Sequence, residues 1–190
     1  MPITKLCIFC GVNSGLDPKF TEMAVEIAEG ISDLNISIIY GGSKKGLMGT
    51  IANAALKKGN HVVGVLPESI NRPEEVHDGL SELIISECLR ARKKIMLERS
   101  DAFLILPGGY GTLDEFFEIM TLKKLQLHSK PVYVMNYMGF WNELLVLLQK
   151  IQGLGFISSG EIGELYQIFD NVSDLISAIT QRNSKHLSRP

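Results

Sequence analysis

Near-continuous apolar runs recur along this chain and alternate with stretches of helical periodicity, and that alternation restricts the fold more than any other feature. Lys5–Cys10, Ile36–Tyr40, His61–Leu66, Ala102–Leu106 and Pro131–Met135 read as buried strands, with Leu83–Ile85 and Leu165–Phe169 as weaker strand candidates. Helical spacing falls on Pro18–Asp33, Leu47–Lys58, Glu87–Arg99, Leu113–Leu125, Trp141–Gln152 and Val172–Gln181. Asp17-Pro18 suits a helix start and Gly59 a helix stop. A strand that is apolar along its whole length is covered on both faces, so the pattern predicts an α/β fold: a Rossmann-like doubly wound parallel sheet with helices on both faces.

The chain has 190 residues, enough for one domain with a sizeable core. The reading places a single α/β domain at 1–182 and a loose polar tail at 183–190. A net charge of −2 points to neither a nucleic-acid surface nor an acidic membrane partner. No apolar run approaches the ~20 residues of a membrane span. "MPITKLCIFC" lacks the layout of a secretory signal, so a cytoplasmic location is expected. Cys7, Cys10 and Cys88 are expected to be reduced thiols, because no second Cys/His pair completes a zinc site. No metal and no cofactor are expected, and His61, His77, His128 and His186, which do not cluster, are read as structural or surface residues.

Three strands run into small residues and then into a helix: "CGVNSG" (Cys10–Gly15), "YGGSKKGLMG" (Tyr40–Gly49) and "PGGYGT" (Pro107–Thr112). Glycine lets backbone N–H groups approach an anion, and a helix N-terminus adds partial positive charge. Three such turns on one sheet edge describe an anion-binding floor, most simply for a phosphate. Tight turns alone remain the alternative. None matches the P-loop pattern, and no acid for a dinucleotide ribose follows the second strand, where Gly41 and Gly42 stand.

The helix "ECLRARKKIMLER" carries an apolar stripe of Cys88, Leu89, Ile95 and Met96 with Arg92 in its middle and Lys93 at its edge. An inward arginine needs an anion, either Asp101 or another structural acid, or a ligand phosphate that suits its planar fork. Glu115 has two readings as well. Thr112-Leu-Asp-Glu115 fits a capping box, and a carboxylate just past a phosphate-binding turn fits catalysis.

Together these residues resemble the LOG ("Lonely guy") family of nucleoside 5′-monophosphate phosphoribohydrolases, once labelled lysine decarboxylases. The PGGxGTxxE motif is matched by Pro107, Gly108, Gly109, Gly111, Thr112 and Glu115, and an upstream Arg-Lys pair by Arg92 and Lys93. The resemblance runs from about Lys5 to Gln152. It implies hydrolysis of the N-glycosidic bond of AMP or cytokinin riboside monophosphates to free base and ribose 5-phosphate, with a homodimer and sites near the interface. By matching position it implies ligand contacts at Glu74, Arg92, Lys93, Thr121 and the segment Gly109, Tyr110, Gly111, Thr112, Leu113, Asp114 and Glu115. Arg92 and Glu115 are the implied catalytic pair. The usual Met-His-Glu before Arg-Lys is Leu89-Arg90-Ala91 here, a departure that bears on base preference.

On this reading Glu115 stabilises positive charge developing on the sugar and activates water. Glycine-turn amides, including that of Gly42, fix the 5′-phosphate, and Ser14, Ser43 and Thr112 add hydroxyls. Arg92 orients the ribose phosphate, and Glu74, on the irregular stretch Pro67–Gly79, contacts the ligand or closes over it. Two rivals share the residues: a non-catalytic nucleotide or phosphorylated-cofactor carrier, as in a molybdenum-cofactor carrier on this fold, and a pyridoxal phosphate enzyme using Lys44, Lys45 or Lys93. A structural or interaction protein is the third class.

Overall fold

A computed structural model describes residues 1–158 and 160–187. Among these, seven strands form one sheet: β1 (Lys5–Phe9), β2 (Ser37–Tyr40), β3 (Val62–Pro67), β4 (Glu82–Ser86), β5 (Ala102–Ile105), β6 (Val132–Met135) and β7 (Gln167–Phe169). Their spatial order is β4-β3-β2-β1-β5-β6-β7, and every pairing is parallel. The chain builds outward from β1 in one direction, then returns to β1's other side with β5. That reversal opens a crevice beyond the carboxyl ends of β1 and β5, where ligands of open α/β sheets bind.

The helices are α1 (Lys19–Asp33), α2 (Gly46–Lys57), α3 (Leu89–Arg99), α4 (Tyr110–Lys124), α5 (Asn142–Gly153), α6 (Glu161–Leu165) and α7 (Val172–Leu187). Alternate residues of β1 feed opposite cores. Leu6, Ile8 and, just past the strand, Cys10 pack with α1, α2 and α7, whereas Cys7 and Phe9 pack with α3, α4 and α5. Cys7 and Cys10 therefore lie on opposite faces of the sheet and cannot form a dithiol pair. Burial pushes both thiols well above their ordinary pKa, which leaves them inert.

Several boundaries differ from expectation. α4 begins at Tyr110, three residues before the apolar pattern starts, because the turn at Gly109 enters the helix directly and no side chain caps it. Thr112 therefore lies inside the first turn, and the expected capping box does not form. α3 begins at Leu89 instead of Glu87: Ser86 Oγ donates to the carbonyls of Leu66 and Cys88 and holds this stretch extended. As a result Cys88 and Leu89 sit exposed at the rim, and the predicted stripe is buried only from Arg92 onward. α6 was not expected. Residues 183–187 of the predicted loose tail continue α7, anchored by Asn183, whose side chain bonds both the N–H and the carbonyl of Ile3. Residues 188–190 lie outside the described residues. No described helix is long and apolar enough to cross a membrane.

Candidate functional site

The three glycine turns meet at the crevice, and close backbone approach is the reason for their glycines. A Cβ on Gly108 would lie 2.1 Å from Thr112 Oγ1 and 2.9 Å from the Gly11 nitrogen, so the turns after β1 and β5 touch only without one. Gly46, at φ +54°, presses the turn after β2 against the Val12 carbonyl, 2.3 Å from where its Cβ would stand. Gly109 and Gly111 differ from these. A Cβ on either would meet nothing within 4 Å, so the fold itself does not require them, and they keep the space above α4 open.

That space is a cavity of about 670 Å³ lined by parts of all three turns, a size suited to a nucleotide. At its edge α4 begins. The Leu113 N–H donates to the Gly109 carbonyl at 3.1 Å, and the N–H groups of Tyr110, Gly111 and Thr112 precede that bond. With no carbonyl inside the helix to reach, they form a local anion site strengthened by the helix dipole. Ser43 is similarly poised. Its carbonyl accepts from buried Tyr40 Oη and its Oγ accepts the Lys45 N–H, which leaves the hydroxyl proton to donate elsewhere.

In the cavity wall Arg92 and Glu115 form a buried ion pair, with Nη1 donating to Oε1 at 2.5 Å. Arg92 Nε donates to the Val65 carbonyl at 2.8 Å, and its Nη2 lies against Gly41, where a Cβ would come within 2.6 Å. Glycine at position 41 is thus the room the guanidinium occupies. Burial pushes the Glu115 carboxyl above the usual carboxylate range, and the charge and hydrogen bond of Arg92 only partly oppose it. The alternative partner Asp101 is engaged elsewhere: its Oδ2 accepts from the Thr4 and Lys5 N–H groups and the Thr4 hydroxyl.

Of the sequence-predicted residues, Ser14, Ser43, Arg92, Gly109, Tyr110, Gly111, Thr112 and Glu115 line the cavity. Gly42 does not. It sits at φ +79° against Leu66 and offers its carbonyl to the His77 N–H. Glu74 is exposed and outside the lining, and its neighbour Glu75 is part of it. Leu113 packs into the core between sheet and α4. Lys93, Asp114 and Thr121 lie on the outer side of α3 and α4. There Asp114, Phe117, Glu118 and Thr121 edge a second, shallow concavity of about 440 Å³, and Lys93 pairs with both Asp114 and Glu118. Burial alone would lower the Lys93 pKa, but those two carboxylates outweigh it and raise it.

Sequence reasoning missed the apolar lining: Phe20 and Phe140, an edge-to-face pair, and Met48, Leu66 and Ile70. Met48 carries a weak signal inside the second glycine turn, whereas Phe140 comes from a distant loop with none. No lysine appears among the described lining residues. Lys44 and Lys45 bond Pro73 and Glu75 instead, so the residues present do not fit a pyridoxal Schiff base.

A family model described as "Possible lysine decarboxylase" matches residues 48–179. The cytokinin riboside 5′-monophosphate phosphoribohydrolase of Rhodococcoides fascians is 42% identical over 155 residues, covering 81% of this chain and 78% of that protein. The enzyme of the same name LOG2 from Arabidopsis thaliana is 38% identical over 155 residues, covering 82% and 73%. Among solved structures, the molybdenum cofactor carrier protein of Chlamydomonas reinhardtii superposes with a TM-score of 0.67 at 21% identity, over 93% of this chain and 96% of that one. At that identity the likeness speaks to the fold alone.

Proposed function

The chain belongs to the LOG family of phosphoribohydrolases, and from that premise we propose that it hydrolyses the N-glycosidic bond of nucleoside 5′-monophosphates, AMP and cytokinin riboside monophosphates, to free base and ribose 5-phosphate. The observation that carries this reading is the convergence, in one cavity, of the free N–H groups of α4 with the buried Arg92–Glu115 pair. The catalytic unit is a single domain, and residues 183–187 continue its last helix.

Breaking the bond between ribose and base leaves positive charge on the sugar. The phosphate binds at the α4 N-terminus, with Ser14, Ser43 and Thr112 as hydroxyl neighbours, and fixes the sugar at a distance from the bond that breaks. Glu115, one helical turn further on, faces the anomeric carbon. There its carboxylate stabilises the developing cation and takes a proton from the attacking water. Arg92 keeps that carboxylate ionised despite its burial and directs its remaining donors to the ribose phosphate.

Lys93, Asp114 and Thr121 face away from the cavity of their own chain, and they act across a homodimer interface built on the outer stripe of α3 and α4. Half-exposed Phe117 at its centre is the anchor. Light scattering should read a dimer for the wild type and a monomer for Phe117→Glu; a monomeric wild type at assay concentration refutes the arrangement. The activity is tested by incubating the protein with AMP or N6-isopentenyl-AMP and scoring released base and ribose 5-phosphate. Binding of both nucleotides without release of either base refutes the enzyme and favours a carrier.

A further inference from the structure

The cavity has a direction. The free N–H groups of Tyr110, Gly111 and Thr112 lie beyond β5. The Arg92–Glu115 pair follows, anchored at the Val65 carbonyl of β3 and against Gly41 after β2. The lining then continues over Met48, Leu66 and Ile70 to Glu75. Because the strands run β3-β2-β1-β5, amides and Glu75 stand at opposite ends. A nucleotide held by its phosphate at α4, with its anomeric carbon at Glu115, points its base at Glu75.

Glu75 is held there. Its stretch of chain is fastened onto the second glycine turn by the Lys44 N–H to Glu75 carbonyl bond (2.9 Å), the His77 N–H to Gly42 carbonyl bond (3.0 Å) and the Ser43–Val76 bridge. Its Oε1 accepts from Lys45 Nζ at 2.5 Å; the residue lines the cavity, and a carboxylate with one such bond keeps further acceptor capacity.

Resting on the phosphoribohydrolase reading, we infer that Glu75 is a specificity-determining residue that accepts a hydrogen bond from the 6-amino group of the base and so selects 6-aminopurine over 6-oxopurine nucleotides. A carboxylate only accepts hydrogen bonds. Adenine donates from N6, and an adenine with one N6 substituent keeps one N–H. Hypoxanthine presents O6 instead, so two acceptors would face each other, a mismatch that costs far more than a lost apolar contact. Met48, Leu66 and Ile70 supply apolar surface for the ring.

The test is the ratio of kcat/KM for AMP to that for IMP. Wild type is expected to favour AMP by at least about a hundredfold, with about 10⁴–10⁵ the scale that a hydrogen-bonding recognition site can reach. Glu75→Gln, whose amide can turn a donor toward O6, should lower the ratio at least about tenfold, mainly through KM. Lys45→Ala loosens the same segment but keeps the carboxylate, so it should lower both activities together and hold the ratio. A ratio that Glu75→Gln leaves unmoved, or that Lys45→Ala shifts equally, overturns the inference. If wild type releases adenine while the ratio stays put, only this inference fails; if it releases no base from either nucleotide, the activity itself fails.

Discussion

Two substitutions at Glu115 separate its structural and chemical roles. Glu115→Ala removes one half of a buried ion pair and strands Arg92, a residue only 8% exposed. Breaking a buried pair from one side costs about 3–5 kcal/mol. For a domain of this size that lowers Tm by roughly 6–20 °C. Glu115→Gln keeps an oxygen within reach of Arg92 Nη1 and removes only the charge, so the fold should lose much less. The chemistry should fare worse, because an amide neither takes a proton from water nor stabilises a cation on the sugar. Loss of such an electrostatic partner costs about a hundred- to a thousandfold in kcat. Binding should move the other way. With its carboxylate gone, Arg92 presents an uncompensated positive charge to the cavity, and affinity for AMP should hold or tighten.

The assay is release of adenine from AMP beside a calorimetric isotherm and a thermal melt for each variant. A Glu115→Gln protein that turns over at the wild-type rate refutes the reasoning, because the carboxylate would then serve only to neutralise Arg92. A Glu115→Gln protein that has lost AMP affinity as well as turnover would place the residue in ground-state binding instead.

Arg92→Ala should weaken ribose 5-phosphate binding by about ten- to a hundredfold, the worth of a charge-assisted contact; equal affinity by calorimetry refutes the phosphate role. Gly111→Ala should stabilise α4 by up to about 1 kcal/mol, since the methyl meets nothing and alanine is the better helix former, yet it should weaken AMP binding; unchanged affinity shows that no ligand approaches there. The raised pKa of Glu115 should put the acid limb of kcat/KM above the ordinary carboxylate value, and Glu115→Gln should abolish that limb; a wild-type limb at the ordinary value refutes it. For stability the sign is the opposite of a typical carboxylate. The folded state holds this proton more tightly, so the contribution is complete below the ordinary pKa and fades as pH rises through the raised one; a melt series that gains stability over that window after subtraction of Glu115→Gln argues against it.

The five central strands were readable because burial on both faces makes them continuously apolar. β4 and β7 were weak for the converse reason. β4 is an edge strand whose Leu83 and Ile85 are partly open to solvent, and β7 is three residues long with Gln167 and Ile168 exposed. α6 was not readable, since five residues with a glycine among them carry no periodicity. The start of α4 was misplaced because helix starts are sought at side-chain caps, and this one leaves its first N–H groups uncapped, which is what an anion site at that end requires.

Arg92 shows how far a single inward charge can be followed from sequence, and where it stops. The helical wheel placed it inward, and cost alone demanded an anion. Sequence could not say that the anion would be Glu115, twenty-three positions away, because the pair closes only when β5 returns to lie beside β1. The same closure decides which residues of α4 face the cavity. Thr112 and Glu115 turn toward the crevice, while Asp114 and Thr121 turn out to the surface, although all four fall within ten consecutive positions. A motif read as one contiguous contact set therefore divides into two faces of one helix. Among the described residues Asp114 and Thr121 line no part of the cavity that holds Glu115, so a substrate bound there meets such residues only if a second copy of the chain brings its own.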